Sequence, residues 1–345
     1  MKSKNITYLL GAGASYNSCP IWKEQGEKMI ELSEKYLKLP NVNFNEEKPN
    51  DLSDRQSILW DLGYFGHKAL EFGTIDTYAK KLLINQSLKD LQRLKLAVSI
   101  FFTLWESSND EIKNRNGQQF KKIDNRYISL LSSIIEASNA NPKLKENVRF
   151  VTWNYDLQLE RAFKAFCLDH LDWDYVSLNL SFRVNKKNLK NLEVCHLNGY
   201  SGFYNSSIDS KQEIGFLDRS SSIEINKILE EIEFMNRSIS RETINIREHI
   251  NYAWENNDIS NFTRKQALSI FSQTDILVII GYSFPSFNKE IDKSLFEQLT
   301  GRETKIYYQD PNASEDLLKI YTQGLETELQ LIKDYKDHFF LPPEF

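Results

Sequence analysis

A short apolar run near the start of the chain stops at a pair of glycines. Residues 6–10 read Ile-Thr-Tyr-Leu-Leu, residues 11–13 read Gly-Ala-Gly, and Ser15 follows two positions later. Such a run predicts a buried strand that leads into a tight turn. The glycines would let a phosphate group approach the backbone N–H groups, and Pro20 suits the first turn of a helix over about residues 20–39. A strand-to-helix turn that binds nothing has the same glycines, so this stretch alone leaves both interpretations open.

Four further segments are predicted to be strands, and each ends in glycine or in polar residues. They cover residues 148–153, 192–197, 275–280 and 305–309, and the residues that follow them include Asn154, Asp156, Asn198, Gly281, Ser283 and Asp310. The run before Gly281 is apolar throughout, which is typical of a parallel strand buried on both faces. Parallel strands end at one edge of a sheet, where open α/β folds bind their ligands. The sequence therefore predicts an α/β fold, a Rossmann-like parallel sheet with helices on both faces, inserted helical segments and a ligand site at one edge.

Helical periodicity fills most of the chain between these strands. Residues 58–107 repeat apolar side chains largely at three and four positions, which predicts a helical layer. Further helices are predicted over residues 126–139, 222–234, 241–254 and 261–273, and a short strand over residues 176–182. We expect a single domain over residues 1–345, with a sheet core over about 1–40, 146–200 and 262–345 and helical insertions over about 45–145 and 205–260.

Composition and charge exclude several classes of function. The net charge of −5 gives no general attraction for nucleic acid, and the basic residues 183–190 are interpreted as a solvated loop. No apolar run approaches the roughly 18 to 20 residues of a membrane span, and the start of the chain has no signal-peptide core, so a cytoplasmic protein is expected. The three cysteines, Cys19, Cys167 and Cys195, are too few for a four-cysteine zinc site, and no zinc is expected.

Two of the candidate residues also have a structural interpretation. Asp156 is a good N-cap residue for the helix that follows, and that role is compatible with a ligand contact. His196 and Asn198 are predicted to project from one side of the same strand, roughly 7 Å apart. Residue type alone does not give His196 a role in a reaction, because a single histidine is more often structural than catalytic.

Taken in order, the motifs at these strand ends resemble the sirtuin superfamily. They are Gly-Ala-Gly-Ala-Ser at residues 11–15, Thr-Trp-Asn-Tyr-Asp at 152–156, His-Leu-Asn-Gly at 196–199, Gly-Tyr-Ser-Phe at 281–284 and the strand that ends at Asp310. The similarity is to the bacterial sirtuin-like branch, whose members act as NAD-consuming immune effectors. Each motif is short, so the specificity of the resemblance lies in the ordered set.

The resemblance implies a role for each of these residues. It places Gly11, Ala12, Gly13 and Ser15 at the pyrophosphate of NAD+, Asn154 as the catalytic carboxamide, Asp156 at the nicotinamide amide, Gly281 and Ser283 at the phosphates or the adenosine ribose, and Asp310, by a looser match, at the adenosine side. His196 is expected to act as a general base, with Asn198 beside NAD+.

The chain departs from the family's pattern in two places. Sirtuins that deacetylate proteins carry a zinc module built from two cysteine pairs, which this chain cannot form. The family has a His-Gly dipeptide at its catalytic histidine, whereas here Asn198 precedes Gly199 and His196 lies two residues earlier. This leaves open whether His196 or Asn198 occupies the histidine's place.

The resemblance implies hydrolysis of NAD+ to nicotinamide and ADP-ribose by a triggered effector of bacterial antiphage immunity that depletes NAD+. A module that senses NAD+ or ADP-ribose without chemistry is the alternative, and protein deacylation is a third that the missing zinc module opposes. The expected partners are further copies of the chain, as a homo-oligomer, or a separate activating protein such as a DNA-translocating ATPase or an Argonaute-like protein. No membrane and no direct nucleic-acid contact are expected.

Overall fold

The computed structural model describes residues 3–39, 42–108, 113, 117–138, 141–168, 173–182, 192–205, 213–214, 225–240 and 246–345. It contains two compact units. Unit 1 comprises Met1–Tyr16, Ile123–Gly199 and Asn251–Phe345, and unit 2 comprises Asn17–Lys122 and Tyr200–Ile250. The expectation of one domain over the whole chain stays a prediction.

The secondary-structure elements are as follows. The strands are β1 (Ile6–Leu10), β2 (Ile135–Ser138), β3 (Asn141–Leu144), β4 (Val148–Thr152), β5 (Val194–His196), β6 (Phe203–Asn205), β7 (Glu213–Ile214), β8 (Ile246–Glu248), β9 (Ile276–Ile280), β10 (Thr304–Gln309) and β11 (Thr327–Ile332). The helices are α1 (Trp22–Leu37), α2 (Asp54–Glu71), α3 (Ile75–Ile84), α4 (Leu88–Ser108), α5 (Asn125–Ile134), α6 (Gln158–Lys164), α7 (Trp173–Leu180), α8 (Ile225–Ser240), α9 (Asp258–Phe271), α10 (Lys289–Glu297) and α11 (Glu315–Thr322).

Unit 1 is built around a six-stranded sheet in the order β11-β10-β9-β1-β4-β5, in which all neighbours are parallel. The chain runs outward from β1 in one direction and outward from β9 in the other, which is the doubly wound arrangement of Rossmann-like folds. The final residues of the six strands lie side by side in register: His196, Thr152, Leu10, Ile280, Gln309 and Ile332. The predicted α/β class is confirmed, and the predicted strand ends share one edge of the sheet.

Different parts of unit 1 cover the two faces of this sheet. On one face, Leu9, Val151 and Ile279 join an apolar cluster with residues of α9, α10 and α11. On the other face, Tyr8 stacks on Phe150 with ring centroids 5.2 Å apart. Crossovers in parallel sheets are right-handed, so connections that run in opposite directions place their helices on opposite faces. Full burial of each large apolar side chain in these layers contributes roughly 1.5–3 kcal/mol.

Unit 2 is mainly helical. Helices α1 and α2 pack closely, since a Cβ added at Gly26 would lie 2.9 Å from the Gly66 carbonyl oxygen. Helix α4 is buried along much of its length, and Trp105 Nε1 donates a hydrogen bond to Ser18 O at 2.8 Å. Strands β6, β7 and β8 form a small antiparallel sheet. The helical layer predicted over residues 58–107 is confirmed as α2, α3 and α4.

The strand predicted over residues 176–182 is wrong, because most of this segment belongs to α7. Val176 and Leu180 are four residues apart and both fully buried, which is helical spacing. The aromatic and β-branched residues of the segment favour a strand, but the burial of one helical face outweighs that local preference. The basic residues 183–190 lie outside the described residues.

Two predicted helices are also wrong in extent or type. The helix predicted over residues 126–139 ends at Ile134, and the chain turns back as the β2–β3 hairpin, with Pro142 inside β3. In the described part of residues 241–254, β8 and turns replace the predicted helix.

Strand β11 was not predicted. It pairs only with β10, at the edge of the sheet, and its burial alternates between intermediate and exposed residues.

The helices of the described residues are all too short or too polar to span a lipid bilayer.

Candidate functional site

Strands β1 and β9 are neighbours, and the order of strands reverses between them. The loops that follow these two strands are joined by backbone hydrogen bonds: Gly11 N donates to Ile280 O at 3.0 Å, and Gly13 N donates to Gly281 O at 2.9 Å. Doubly wound folds bind ligands in the crevice at this reversal. The three glycines predicted to line a ligand therefore lie at the topological switch point.

Close contact between these loops explains why glycine occupies the three positions. Gly281 has a φ of +59°, and a Cβ there would lie 2.3 Å from Ala14 N. A Cβ at Gly11 would lie 2.6 Å from Gly281 O. The glycines thus allow two backbones to meet, which is a different reason from the phosphate approach predicted from the sequence.

The same contacts determine which backbone donors the turn leaves for an anion. The N–H groups of Gly11, Gly13 and Ala14 donate to carbonyl oxygens of the protein. Ala12 begins the short 3-10 helix Ala12–Ser15 and is exposed, and no described residue accepts its N–H. Ala12 N–H is therefore the donor in this part of the turn that remains open to a ligand.

Ser15, Asn154 and Asp156 form one buried hydrogen-bond network at the switch point. Ser15 Oγ donates to Asp156 Oδ1 at 2.9 Å and lies 3.2 Å from Tyr127 Oη. Asn154 Nδ2 donates to Gly11 O at 3.0 Å and to Ser15 Oγ at 3.4 Å. Because both acceptors are oxygens, they define the orientation of the Asn154 carboxamide and leave its Oδ1 as the group for a ligand.

Asp156 does not occupy the N-cap position of α6, which is Leu157, but it contacts the start of that helix. Its Oδ1 accepts a hydrogen bond from Gln158 N, the first residue of α6, at 3.1 Å. The same carboxylate oxygen therefore supports the helix and holds Ser15. The expected N-cap assignment of Asp156 is therefore wrong by one residue, and its contact with α6 is compatible with a place in the network.

Arg126 is a part of this region that sequence reasoning missed. Its guanidinium donates to Ala14 O at 2.9 Å and pairs with Asp124 Oδ2 at 2.6 Å. The guanidinium also lies between the rings of Tyr16 and Phe339, 4.4 and 4.7 Å from their centroids. No motif marks an arginine at the start of a helix, so its partners could only be found in the folded chain. Arg126 therefore binds the Ala14 carbonyl oxygen in the turn after β1, the turn that lies at the switch point.

His196 is the last residue of β5 and is buried, with 3% of its surface exposed. Its Nε2 lies 2.7 Å from Oε1 of Glu160, and its Nδ1 lies 3.3 Å from the Asn154 carbonyl oxygen. Since a carbonyl only accepts, Nδ1 carries a hydrogen, and Nε2 shares a proton with the carboxylate. Neither ring nitrogen presents a lone pair to a ligand in this arrangement. Sequence reasoning missed Glu160.

Two opposing effects act on the pKa of His196. Burial lowers the pKa of the ring, while the charge and hydrogen bond of Glu160, the Asn154 carbonyl and the charge of Asp156 raise it. The net direction is upward, which favours the imidazolium beside the Glu160 carboxylate.

Asn198 lies in a turn and not on the strand. β5 ends at His196, and Gly199 N donates to His196 O at 3.2 Å with a φ of +70° at Gly199. The prediction that His196 and Asn198 share one strand face is therefore wrong. Asn198 O accepts from Asn251 N at 2.7 Å, whereas the buried Oδ1 has no hydrogen-bond partner among the described residues.

Ser283 and Asp310 lie farther along the same edge, and no hydrogen bond of the described chain joins either one to the Ser15 network. Ser283 is exposed. Asp310 Oδ1 accepts from Asn312 N at 2.7 Å in a turn after β10. Burial raises the pKa of the Asp310 carboxyl, and the Asn312 hydrogen bond partly offsets this.

A further buried carboxyl group, Asp292 on α10, binds the residues beside Asn154 and Gly281. Asp292 Oδ2 accepts from Tyr282 Oη at 2.7 Å, and Oδ1 accepts from Trp153 Nε1 at 3.2 Å. Trp153 directly precedes Asn154, and Tyr282 directly follows Gly281. Burial raises the pKa of Asp292 to about 7, against the lowering effect of the two hydrogen bonds.

The cysteines form no disulfide. Cys19 and Cys195 are buried, and Cys167 is half-buried. Cys195 Sγ donates to Thr263 O at 3.0 Å, and burial raises the pKa of this thiol to about 12. A buried neutral thiol behaves as a small apolar side chain. The absence of a zinc site stays a prediction.

No known protein family and no curated protein matches the sequence. Among solved structures, the chain is similar to Sir2 bound to an inhibitor, 2′-O-acetyl-ADP-ribose and a deacetylated peptide, with 11% identity over 97% of this chain and 90% of that chain and a TM-score of 0.41. A Sir2 homologue in complex with NAD matches with 12% identity over 97% of this chain and 85% of that chain and a TM-score of 0.39. At these values the fold class rests on the chain's own strand order, and the matches do not identify its ligand.

Proposed function

We propose that the chain binds NAD+ at the switch-point edge of the sheet and hydrolyses the bond between nicotinamide and ribose. The observation that carries this proposal is the buried Ser15–Asn154–Asp156 network at the reversal of strand order. These residues are also the ones that the resemblance to sirtuins assigns to NAD+. Ala12 N–H is the donor available for the pyrophosphate.

The proposed chemistry needs little acid or base. Nicotinamide leaves as a neutral molecule from a cationic ring, so its departure requires no proton donor. The remaining sugar is oxocarbenium-like and electrophilic enough to be attacked by neutral water once that water is positioned. Water adds to the anomeric carbon, a proton is released to solvent, and the products are nicotinamide and ADP-ribose.

Asn154 is the residue that we assign to this step. Its amide hydrogens are held by Gly11 O and Ser15 Oγ, which leaves Oδ1 to accept from a ribose hydroxyl or from the attacking water. The general-base role predicted for His196 has no support in the described arrangement, because both ring nitrogens face acceptors. We therefore place His196 behind Asn154, where it contacts the main chain.

One observation favours the second candidate, a sensor that binds NAD+ or ADP-ribose without chemistry. Both ring nitrogens of His196 contact groups of the protein. The residue directly before Gly199 is Asn198, whereas the family that the chain resembles has its catalytic histidine directly before that glycine. Protein deacylation is the third candidate, and the small number of cysteines opposes it.

We further propose that the chain is a single-domain, triggered effector of bacterial antiphage immunity that depletes cytoplasmic NAD+. Support for this comes from the ordered motifs alone. The same resemblance supports assembly into a homo-oligomer, or activation by a separate protein such as a DNA-translocating ATPase or an Argonaute-like protein.

The test is release of nicotinamide and ADP-ribose from NAD+ by the purified protein. Asn154→Ala is expected to lower the rate by at least about 100-fold, because it removes the group that orients the reacting oxygen. Asn261→Ala, an exposed site on α9, is the matched control and should keep the wild-type rate.

Four other outcomes separate the alternatives. Full activity in Asn154→Ala contradicts the assignment. Binding of NAD+ without release of nicotinamide, at every protein concentration, indicates the sensor. Release that requires an acylated peptide indicates a deacylase, and a steep rise in specific activity with protein concentration indicates activation by assembly.

A further inference from the structure

Glu160 lies on α6, behind the residues of the proposed reaction. Its side chain is fully buried, and its Oε1 lies 2.7 Å from His196 Nε2. The other carboxylate oxygen, Oε2, has no hydrogen-bond partner in the described part of the chain. A buried carboxylate is costly unless it is paired. The described residues give the Glu160 side chain one hydrogen bond, and that bond is to His196.

The His196 ring connects Glu160 to Asn154. The ring nitrogen Nδ1 donates to the Asn154 carbonyl oxygen at 3.3 Å. Asn154 is held on its other sides as well, by Thr152 Oγ1, which accepts from its backbone N–H at 3.0 Å, and by Gly11 O, which accepts from its side chain. A continuous chain of hydrogen bonds therefore runs from α6 through the end of β5 and the loop after β4 to the loop after β1.

We propose that Glu160 is a positioning residue, which acts through the His196 ring to hold the main chain at Asn154 so that the Asn154 carboxamide faces the ribose. This inference rests on the proposed function, because it concerns the same NAD+ site. Without the carboxylate, the imidazolium is no longer favoured, and the neutral ring can carry its one hydrogen on Nε2 instead of Nδ1. The Asn154 carbonyl then loses a fixed donor, and the carboxamide can shift.

The first experiment compares Glu160→Gln with the wild type in NAD+ hydrolysis. Glutamine keeps the size of the side chain but cannot share a proton with the imidazole as a carboxylate does. We expect kcat to fall about 10- to 100-fold, in line with the cost of a small misplacement of a reacting group, and the affinity for ADP-ribose to fall with it. Glu297→Gln, at the exposed end of α10, is the matched control and should show the wild-type kcat.

The pH profile separates positioning from a merely structural role. Among the described residues, the groups beside the His196 ring include Glu160, the Asn154 carbonyl, the charge of Asp156 and the ring of Phe182. In the wild type, kcat should fall on the alkaline side, where the imidazolium loses its proton. In Glu160→Gln this alkaline limb should move to lower pH, because the carboxylate that retains the proton is gone.

A second measurement uses ADP-ribose affinity, which calorimetry reports whether or not NAD+ is hydrolysed. The wild type, Glu160→Gln, Asn154→Ala and the double variant form a cycle. If Glu160 acts through Asn154, the double variant binds ADP-ribose no more weakly than Asn154→Ala alone. Additive losses would show an independent structural role and overturn the proposal.

The remaining outcomes test the role of Glu160 and the proposed function separately. Wild-type kcat and pH profile in Glu160→Gln overturn the role of Glu160 and leave NAD+ hydrolysis standing. A wild type that neither releases nicotinamide nor binds ADP-ribose overturns the proposed function, and the role of Glu160 with it.

If thermal melting shows that Glu160→Gln does not fold, Glu160→Asp takes its place. It keeps the carboxylate with a shorter reach, and its kcat should lie below that of the wild type with the alkaline limb retained.

Discussion

Asp292 makes the stability of unit 1 depend on pH in a direction opposite to that of most carboxyl groups. Its side chain is fully buried and receives hydrogen bonds from Tyr282 and Trp153, with no cation among the partners found in the described residues. Burial raises its pKa from 3.8 to about 7. The folded state therefore binds the proton more tightly than the unfolded state. Stability falls as the pH rises from the unfolded value through the folded one, and the loss is complete above about pH 7.

The size of the effect follows from the two pKa values. The full difference between 3.8 and about 7 corresponds to roughly 4 kcal/mol. Between pH 5 and pH 8, where the fold is more easily studied, the wild type should lose about 2 to 3 kcal/mol through this group. Asp292→Asn removes the titration while keeping the shape. Its Oδ1 can still accept from Trp153, and its amide can donate to Tyr282 Oη.

The assay is urea unfolding at several pH values from 5 to 8, followed by tryptophan fluorescence. The stability of Asp292→Asn relative to the wild type should rise by about 2 to 3 kcal/mol across this range. Asp316→Asn, an exposed carboxyl on α11, is the control and should follow the wild type. If the Asp292→Asn and wild-type curves stay parallel from pH 5 to 8, the reasoning is wrong.

Two further substitutions test how the turn at the switch point is held. Gly281→Ala should destabilise the protein by at least about 3 kcal/mol in urea unfolding, because its Cβ would overlap Ala14 N and its φ is +59°. Gly301→Ala shares a positive φ of +76° but has open space at the Cβ, so it should cost only about 1 kcal/mol, and equal losses in the two variants would refute the steric argument. Arg126→Met should cost about 3–5 kcal/mol, because the buried Asp124 carboxylate loses the guanidinium with which it is paired. The double variant Arg126→Met with Asp124→Asn should recover part of that loss, and no recovery would show that the ion pair is not the cause.

The sheet could be predicted because most of its strands are rich in apolar residues and one is apolar throughout. A five-residue segment such as Ile276–Ile280 is buried at every position, and a segment of that kind has few places in a protein other than the middle of a parallel sheet. Strand β11 escaped prediction because it pairs with β10 alone, and its burial alternates between intermediate and exposed residues. Helix α7 was misassigned because eight residues are too few for periodicity to distinguish a helix from a strand.

The residues of the candidate site also fall into those that the sequence could predict and those that it could not. Gly11, Asn154 and Asp156 could be named from the sequence, because each comes directly after an apolar run and parallel strands must end together. Glu160, Arg126 and Asp292 could not. Each lies on a helix and has a partner that is distant in the chain: Glu160 is 36 residues from His196, Arg126 is 112 residues from Ala14, and Asp292 is 139 residues from Trp153.

Local pattern thus determined the class of fold, the edge of the sheet that holds the site and the identity of its polar strand ends, because apolar periodicity and glycine positions are properties of short segments. Only the tertiary structure decided what the glycines and the histidine do. Gly281 is needed because another backbone lies against it, and His196 faces inward because a buried carboxylate and a main-chain carbonyl take both of its nitrogens. A side chain's chemistry depends on which groups surround it, and those groups come together only when the chain folds.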